Sequence, residues 1–295
     1  MVTRLEKYES FPLPDKLNST LANFSYVFNP SFIAYENMNY MAIRVFDDQL
    51  QTIIALLFMW DDEASIQQIN LSEYFSKHLS FIKVADPKLF IMDNKVYGTF
   101  NTGDASKEPN QLMLIELSSF DIKSYKYCDY NERMRTEKNW AFYTENNELY
   151  ALYSLNPLTI LKGSKINNSL ISFEKYYCDE NQNFNNYSVG TPLLKLGDTY
   201  CFLAHKKYYR KRKRLYLGRM CELSTMVKPK LKVSKPILIH SFYSLLGNKH
   251  KFNKNLISCT YFSGIHKLKD KLILSYGVND VSWNVKIIKE SKIWQ

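Results

Sequence analysis

Apolar and polar positions alternate along this chain in a grammar that recurs five times. The stretches NPSFIAYENMNYMAIRVF (29–46), DPKLFIMDNKVYGTFN (86–101), KNWAFYTENNELYALYSLN (138–156), GTPLLKLGDTYCFLAHKKY (190–208) and SGIHKLKDKLILSYGVND (263–280) follow it. Each opens on a small or polar residue and runs through a few apolar positions. Each then turns on Asn, Asp or Gly and resumes in alternating aromatics. Period-two alternation with Asx or Gly at the turn predicts a β-hairpin, and aromatic and β-branched residues suit its strands. The copies recur at intervals of roughly 50 to 70 residues, a period typical of four-stranded propeller blades. Helical periodicity is confined to NLSEYFSKHL (70–79), which reads as a connection between blades. The predicted fold is all-β, a single five-bladed β-propeller over residues 1–295 with a funnel-shaped site on its axis. Blade cores are expected near 29–60, 86–118, 138–175, 190–224 and 258–290.

Composition narrows the picture. A chain of 295 residues with 22 Tyr and 18 Phe has the apolar surface for a large core and is not disordered. The five cysteines are scattered, odd in number and without a CxxC pair, which argues against a disulfide framework or a zinc site and for a reducing compartment. Five separate histidines and the lack of an acidic DxD leave no metal or other cofactor expected. The longest apolar run, TIIALLFMW (52–60), is about half of a bilayer span, and the start of the chain lacks a signal-peptide pattern. A cytoplasmic protein is expected, at most peripheral to the inner face of the membrane.

The formal charge of +10 is uneven: seven Lys or Arg fall between Lys206 and Arg214. This run is either a solvated hairpin tip or the footprint of an anion, whether a membrane leaflet, a phosphorylated sugar or an acidic glycan. Nucleic acid is not expected as a partner, since no known binding module surrounds Tyr208 and Tyr209.

In a propeller, residues at equivalent repeat positions converge on one mouth of the channel. Asn29, Asp86, Lys138, the Gly190–Pro192 turn and the Ser263–Gly264 pair share the opening position. Arg44, His205 and Asp280 lie near the far end of the second strand, which an antiparallel hairpin returns to the same rim. Trp140, Tyr143 and Tyr276 are candidate stacking walls for sugar rings, against the plainer reading that strand aromatics are core.

In this order, NP with Arg44, DPK, EKNW, GTP with His205, and SYGVND resemble motifs of the inverting β-mannoside phosphorylases of glycoside hydrolase family 130 and the related β-mannosyltransferase/phosphorylase family of trypanosomatid parasites. The resemblance spans residues 29 to 283. It implies that Asp86 is the catalytic acid, acting directly or through a sugar hydroxyl. It further implies that Asn29, Arg44 and Asp280 bind the sugar, with Lys88, Trp140 and Tyr276 around it, and that Lys138 and His205 bind phosphate, joined by a nearby Arg for which Arg135 is the candidate. Where the family writes Glu-Asp-Pro-Arg, this chain has Ala85-Asp86-Pro87-Lys88, and an ammonium does not reproduce a bidentate guanidinium grip.

An inverting enzyme that uses phosphate needs only one proton-handling carboxylate, whereas a glycosidase usually needs two. The altered motif and the basic run put first an inverting glycosyltransferase that builds a surface glycan by β-mannosyl-type transfer. Its partners would be a sugar-phosphate or nucleotide-sugar donor and a glycan acceptor, with contact to anionic membrane through 206–214. The alternatives are a β-mannoside phosphorylase releasing sugar 1-phosphate and a non-catalytic glycan-binding propeller.

Overall fold

The computed structural model describes residues 1–79, 83–103, 109–182, 184–226, 228–246 and 252–294. The chain enters through the short strand β1 (Val2–Arg4) and helix α1 (Asp15–Leu21), then forms the antiparallel meander β2 (Tyr26–Tyr35), β3 (Met38–Asp47), β4 (Thr52–Trp60) and β5 (Gln67–Asn70). Helix α2 (Leu71–Leu79) occupies the one segment whose sequence carries helical periodicity, and it leads out of this first sheet.

The next meander is β6 (Ala85–Met92), β7 (Lys95–Asn101), β8 (Leu112–Leu117) and β9 (Ile122–Tyr130), followed by β10 (Ala141–Glu145), β11 (Glu148–Leu155), β12 (Leu158–Ile166) and β13 (Leu170–Asp179). Short strands β14 (Tyr187–Val189) and β15 (Leu194–Leu196) both pair with β16 (Thr199–Arg210), which forms a long hairpin with β17 (Lys213–Ser224). After β18 (Lys230–Val233) and β19 (Ile237–Ile239) the chain closes with β20 (Leu256–Leu268), β21 (Lys271–Val278), β22 (Ser282–Lys289) and helix α3 (Ser291–Trp294).

The chain is thus all-β with curled antiparallel meanders. They merge into three hydrogen-bonded sheets of four, eight and ten strands, because parallel ladders tie β9 to β13 and β17 to β20. The N-terminus is tied to the last meander by the bridge from Ser10 to Lys286, and β1 pairs in parallel with β19. Apolar side chains on facing sheets fill the layers between them. One layer runs from Ile33, Met59 and Phe75 to Leu89 and Phe100, another from Phe32, Met41 and Phe58 to Ile273 and Val285.

Serine hydroxyls stitch neighbouring meanders together at their first strands and at β21. Ser263 Oγ donates to Pro30 O at 2.6 Å, Ser31 Oγ accepts from Leu89 N at 2.8 Å, and Ser275 Oγ accepts from Phe32 N at 3.1 Å. All three serines are fully buried, and these bonds satisfy their hydroxyls while fixing the spacing of β20, β2 and β6. Among the described residues no helix is long and apolar enough to cross a membrane.

Candidate active site

Two Asx-Pro dipeptides shape the site. In β2 the register jumps from Phe28 opposite Arg44 to Ser31 opposite Ala42, so Asn29 and Pro30 face one partner residue. In β6 it jumps in the same way from Ala85 opposite Asn101 to Lys88 opposite Thr99, so Asp86 and Pro87 bulge. Asn29 and Asp86 sit at the bulges with φ of 54° and 50°, a left-handed conformation that Asn and Asp tolerate better than other side chains. A bulge of two residues against one re-aims a side chain out of the ladder, and both side chains line one cavity of about 460 Å³.

That cavity also takes Arg44 from β3, Lys138 and Asn139 from the approach to β10, His205 and Lys207 from β16, Arg214 and Tyr216 from β17, Tyr261 from β20 and Asp280 from the turn after β21. Asp280 is presented by its neighbour. Asn279 accepts from Cys259 N at 2.7 Å and donates to Ser244 O at 3.0 Å, which pins a turn in which both residues have positive φ. SYGVND therefore ends on Asn-Asp because the first residue locks the turn and the second faces the cavity.

The charges are arranged in opposition. Arg44 Nη1 donates to Asp86 Oδ1 at 2.7 Å, with both side chains 12 % exposed. Burial alone would push the Asp86 carboxyl up; the charges of Arg44, Lys138 and Lys88 and the Arg44 hydrogen bond outweigh it and hold the group below the ordinary range. Burial drives the Asp280 carboxyl the other way, with Asp86 adding to the rise and Arg44 opposing it. Asp86 and Asp280 are thus pushed apart, an arrangement in which one stays ionised and the other holds a proton more readily.

His205 is fully buried, and its Nε2 accepts a hydrogen bond from Phe262 N at 2.8 Å. That bond assigns the proton to Nδ1, and burial followed by the Lys88 and Lys207 charges keeps the ring neutral. Nδ1 has no partner among the described residues. Asn29 Oδ1, Arg44 Nε and Ser188 Oγ are likewise buried without partners, and all four belong to residues lining this cavity. Buried polar atoms are nearly always paired, so the cluster marks where a polar ligand completes the bonding.

Six sequence-predicted residues therefore meet in one cavity: Asn29, Arg44, Asp86, Lys138, His205 and Asp280. Four others do not. Lys88 is 2 % exposed and lies behind the wall, its Nζ donating to Asn139 Oδ1 at 2.6 Å while burial draws its pKa down to about 7. Arg135 is exposed outside the lining, and its carbonyl accepts from Asn110 N at 3.2 Å. Trp140 is core: its indole donates to Glu137 Oε2 at 3.0 Å and packs edge-on against Tyr153 and Phe173. Tyr276 is fully buried beside Phe262, its hydroxyl 3.1 Å from His240 Nδ1, and Tyr143 packs on Tyr150 and Tyr200.

Alternation accounts for Tyr276, whose neighbour Gly277 on β21 abuts Asn29 while Tyr276 turns to the core; Trp140 precedes β10, and its bond to Glu137 holds it in the core. The Gly190–Pro192 turn and the Ser263–Gly264 pair also stay out of the lining, held by backbone contacts to Leu203 and Pro30. The aromatic walls are instead Tyr153, Tyr187, Tyr216 and Tyr261. Tyr261 stacks on His205 with centroids 4.5 Å apart and donates to Asn139 Oδ1 at 3.3 Å. Lys207 and Arg214 were visible in sequence only as members of a basic run; the two-residue alternation that brings them into the site was the available signal.

Among the described residues no cluster of three or more His, Cys, Asp or Glu could hold a metal ion, and all five cysteines are free thiols. No sequence-family model matches the chain, and no curated protein sequence matches it. Solved structures do. A structure described as a mannoside phosphorylase family 130 member, from a family containing hydrolases of β-1,2-mannosidic linkages in Candida mannan, superposes with a TM-score of 0.65 over 90 % of this chain and 85 % of that one at 11 % identity. A glycosyl hydrolase from Bacteroides ovatus gives 0.63 over 90 % and 85 % at 11 % identity. The β-1,2-mannobiose phosphorylase of Listeria innocua gives 0.58 over 92 % and 91 % at 13 % identity. Nearly the whole chain thus shares the fold of carbohydrate-active enzymes that include the β-mannoside phosphorylases of glycoside hydrolase family 130.

Proposed function

We propose that this protein is an inverting β-mannoside phosphorylase built on a single five-bladed propeller, with Asp86 as its proton-handling group. The observation that carries the reading is the cavity itself: an Arg44–Asp86 pair at 2.7 Å sharing one space with Lys138, Lys207 and Arg214. A phosphate dianion meets three further cations there, and the neutral Nδ1–H of His205 and the amide of Asn29 supply bonds to sugar hydroxyls. Among the superposing structures, that from Listeria innocua is a β-1,2-mannobiose phosphorylase, which supports this reading. The transferase, put first on sequence grounds, finds no such support.

In phosphorolysis, a phosphate oxygen attacks the anomeric carbon as the bond to the glycosidic oxygen breaks. The Asp86 proton passes to that oxygen, and sugar 1-phosphate leaves with inversion. The charges of Arg44, Lys138 and Lys88 hold Asp86 ionised. Phosphate bound beside Lys138, Lys207 and Arg214 offsets those charges and raises the carboxyl, so nucleophile binding itself primes the acid. In synthesis the ionised Asp86 takes the proton from the acceptor hydroxyl, and the same cations hold the departing phosphate.

A hydrolase is the second reading, favoured by the second carboxyl at Asp280 with its opposite shift. Incubation with β-1,2-mannobiose separates the three outcomes by product. Mannose 1-phosphate formed only with inorganic phosphate supports the proposal. Free mannose formed without phosphate makes the protein a hydrolase, and turnover of nucleotide sugars alone makes it a transferase.

A further inference from the structure

The hairpin of β16 and β17 extends the cavity outward on one face. Directly opposed residues of an antiparallel pair share a face, and that face repeats every second residue. His205, Lys207, Arg214 and Tyr216 line the cavity, with Lys207 opposite Tyr216. Tyr209, opposite Arg214, is the next residue outward on the same face and is 60 % exposed. The tip follows as a two-residue turn, Lys211 and Arg212, both in left-handed conformation. From Lys207 to Lys211 the strand covers about 13 Å.

None of the seven Lys and Arg from Lys206 to Arg214 has a carboxylate partner among the described residues. Their near neighbours are aromatic instead. Arg214 and Lys207 lie 5.8 and 6.0 Å from the Tyr216 centroid, and on the opposite face Lys206 lies 5.1 Å from that of Tyr187. Burial first, then the Arg214 and Lys138 charges, lower the Lys207 pKa, so the cations at the hairpin root repel one another until an anion arrives. The turn itself takes two long cationic side chains where this geometry favours Asn-Gly.

We propose that this hairpin is a binding track for an anionic oligosaccharide whose end enters the cavity: sugar rings stack on Tyr209 and Tyr216, and phosphate or carboxylate substituents meet the cations from Lys207 to Arg214. The proposal deepens the reading of the cavity as a glycoside site and rests on it. A membrane leaflet fits less well. It would use the exposed tip from both faces alike, whereas the cations and tyrosines here run continuously into a pit that a bilayer surface does not enter.

The test is equilibrium binding of a phosphorylated β-mannan oligosaccharide, its phosphatase-treated counterpart, and phosphatidylcholine vesicles with and without phosphatidylserine. The phosphorylated chain is expected to bind at least about tenfold more tightly than the treated one, with the difference shrinking as salt rises. Tyr209→Ala should weaken both oligosaccharides by about 2–10-fold, the range of an aromatic contact. Lys211→Glu with Arg212→Glu should weaken the phosphorylated chain alone. Arg210→Glu with Lys213→Glu, an opposed pair on the other face of the hairpin and outside the cavity lining, should have the smaller effect. Equal affinity for the two oligosaccharides, indifference to Tyr209→Ala, or binding only to the anionic vesicles overturns the track. Binding needs no turnover, so a failed phosphorolysis assay and a failed track are distinguishable.

Discussion

Arg44 on β3 and Asp86 on β6 meet at 2.7 Å across the gap between the first sheet and the second, where each side chain is 12 % exposed. Removing one partner of a buried pair leaves the other charge uncompensated, at a cost of about 3–5 kcal/mol. Arg44→Ala should therefore lower the denaturant midpoint and, by withdrawing the nearest cation, move to higher pH the acid limb of the synthetic reaction, in which ionised Asp86 is the base. Asp86→Asn retains the shape and a hydrogen-bond acceptor but cannot carry the proton. Its kcat should fall by about 10²–10⁴-fold, and with Arg44 left without its counter-charge the denaturant midpoint should fall as well. Wild-type turnover in Asp86→Asn would remove this residue from the chemistry.

Gly277 sits where only a residue without Cβ fits. An added Cβ would lie 2.0 Å from Asn29 Oδ1 and 2.7 Å from Asn29 N, the second contact being backbone that cannot swing away. Gly277→Ala should displace the Asn29 bulge, destabilise the fold by about 1–3 kcal/mol and weaken substrate binding. Thermal unfolding alongside KM checks both effects. Full stability and an unchanged KM would mean that Asn29 is not held by this approach.

These two relationships show what the sequence carried and what it did not. Repeated hairpins, the helix at 70–79 and the convergence of Asn29, Asp86 and Asp280 were legible because alternation and Asx turns are local signals. The merging of meanders into three sheets was not, because parallel ladders such as β17 with β20 join segments whose pairing leaves no local mark. Trp140 and Tyr276 were misplaced for a different reason. Their motifs do reach the site, but Trp140 lies just before β10 with its indole held by Glu137, and Tyr276 alternates on β21 with Gly277, which is the one that abuts Asn29. Lys207 and Tyr216 follow the same rule in reverse, hidden inside a run whose charge drew more notice than its alternation.

His205 carries two separable duties. Nε2 accepts from Phe262 N, and Nδ1–H remains for a ligand. His205→Phe abolishes both and leaves a buried amide unpaired, which should cost about 1–3 kcal/mol. His205→Gln can place an amide oxygen near the Nε2 position and keep the Phe262 bond without restoring the Nδ1 donor. The Gln variant is expected to recover most of the stability while its KM stays raised. Stability lost equally in both variants would mean that the Phe262 bond is not what the ring supplies.

His266 gives the chain an acid limit of stability. It lies on β20 opposite Ile273, is 7 % exposed, and burial lowers its pKa from 6.5 to about 4. Between those values the unfolded chain binds a proton that the folded chain refuses, so unfolding gains on folding as pH falls. The contribution is fully present above pH 6.5, is lost progressively down to about pH 4, and is flat below it; the full span corresponds to about 3 kcal/mol. His205, also held neutral by burial, slopes in the same direction. His266→Gln removes one titration and leaves the other. The denaturant midpoint of this variant should therefore decline less steeply than wild type between pH 6.5 and 4 while keeping some slope, and parallel curves for the two proteins would mean that His266 titrates alike folded and unfolded.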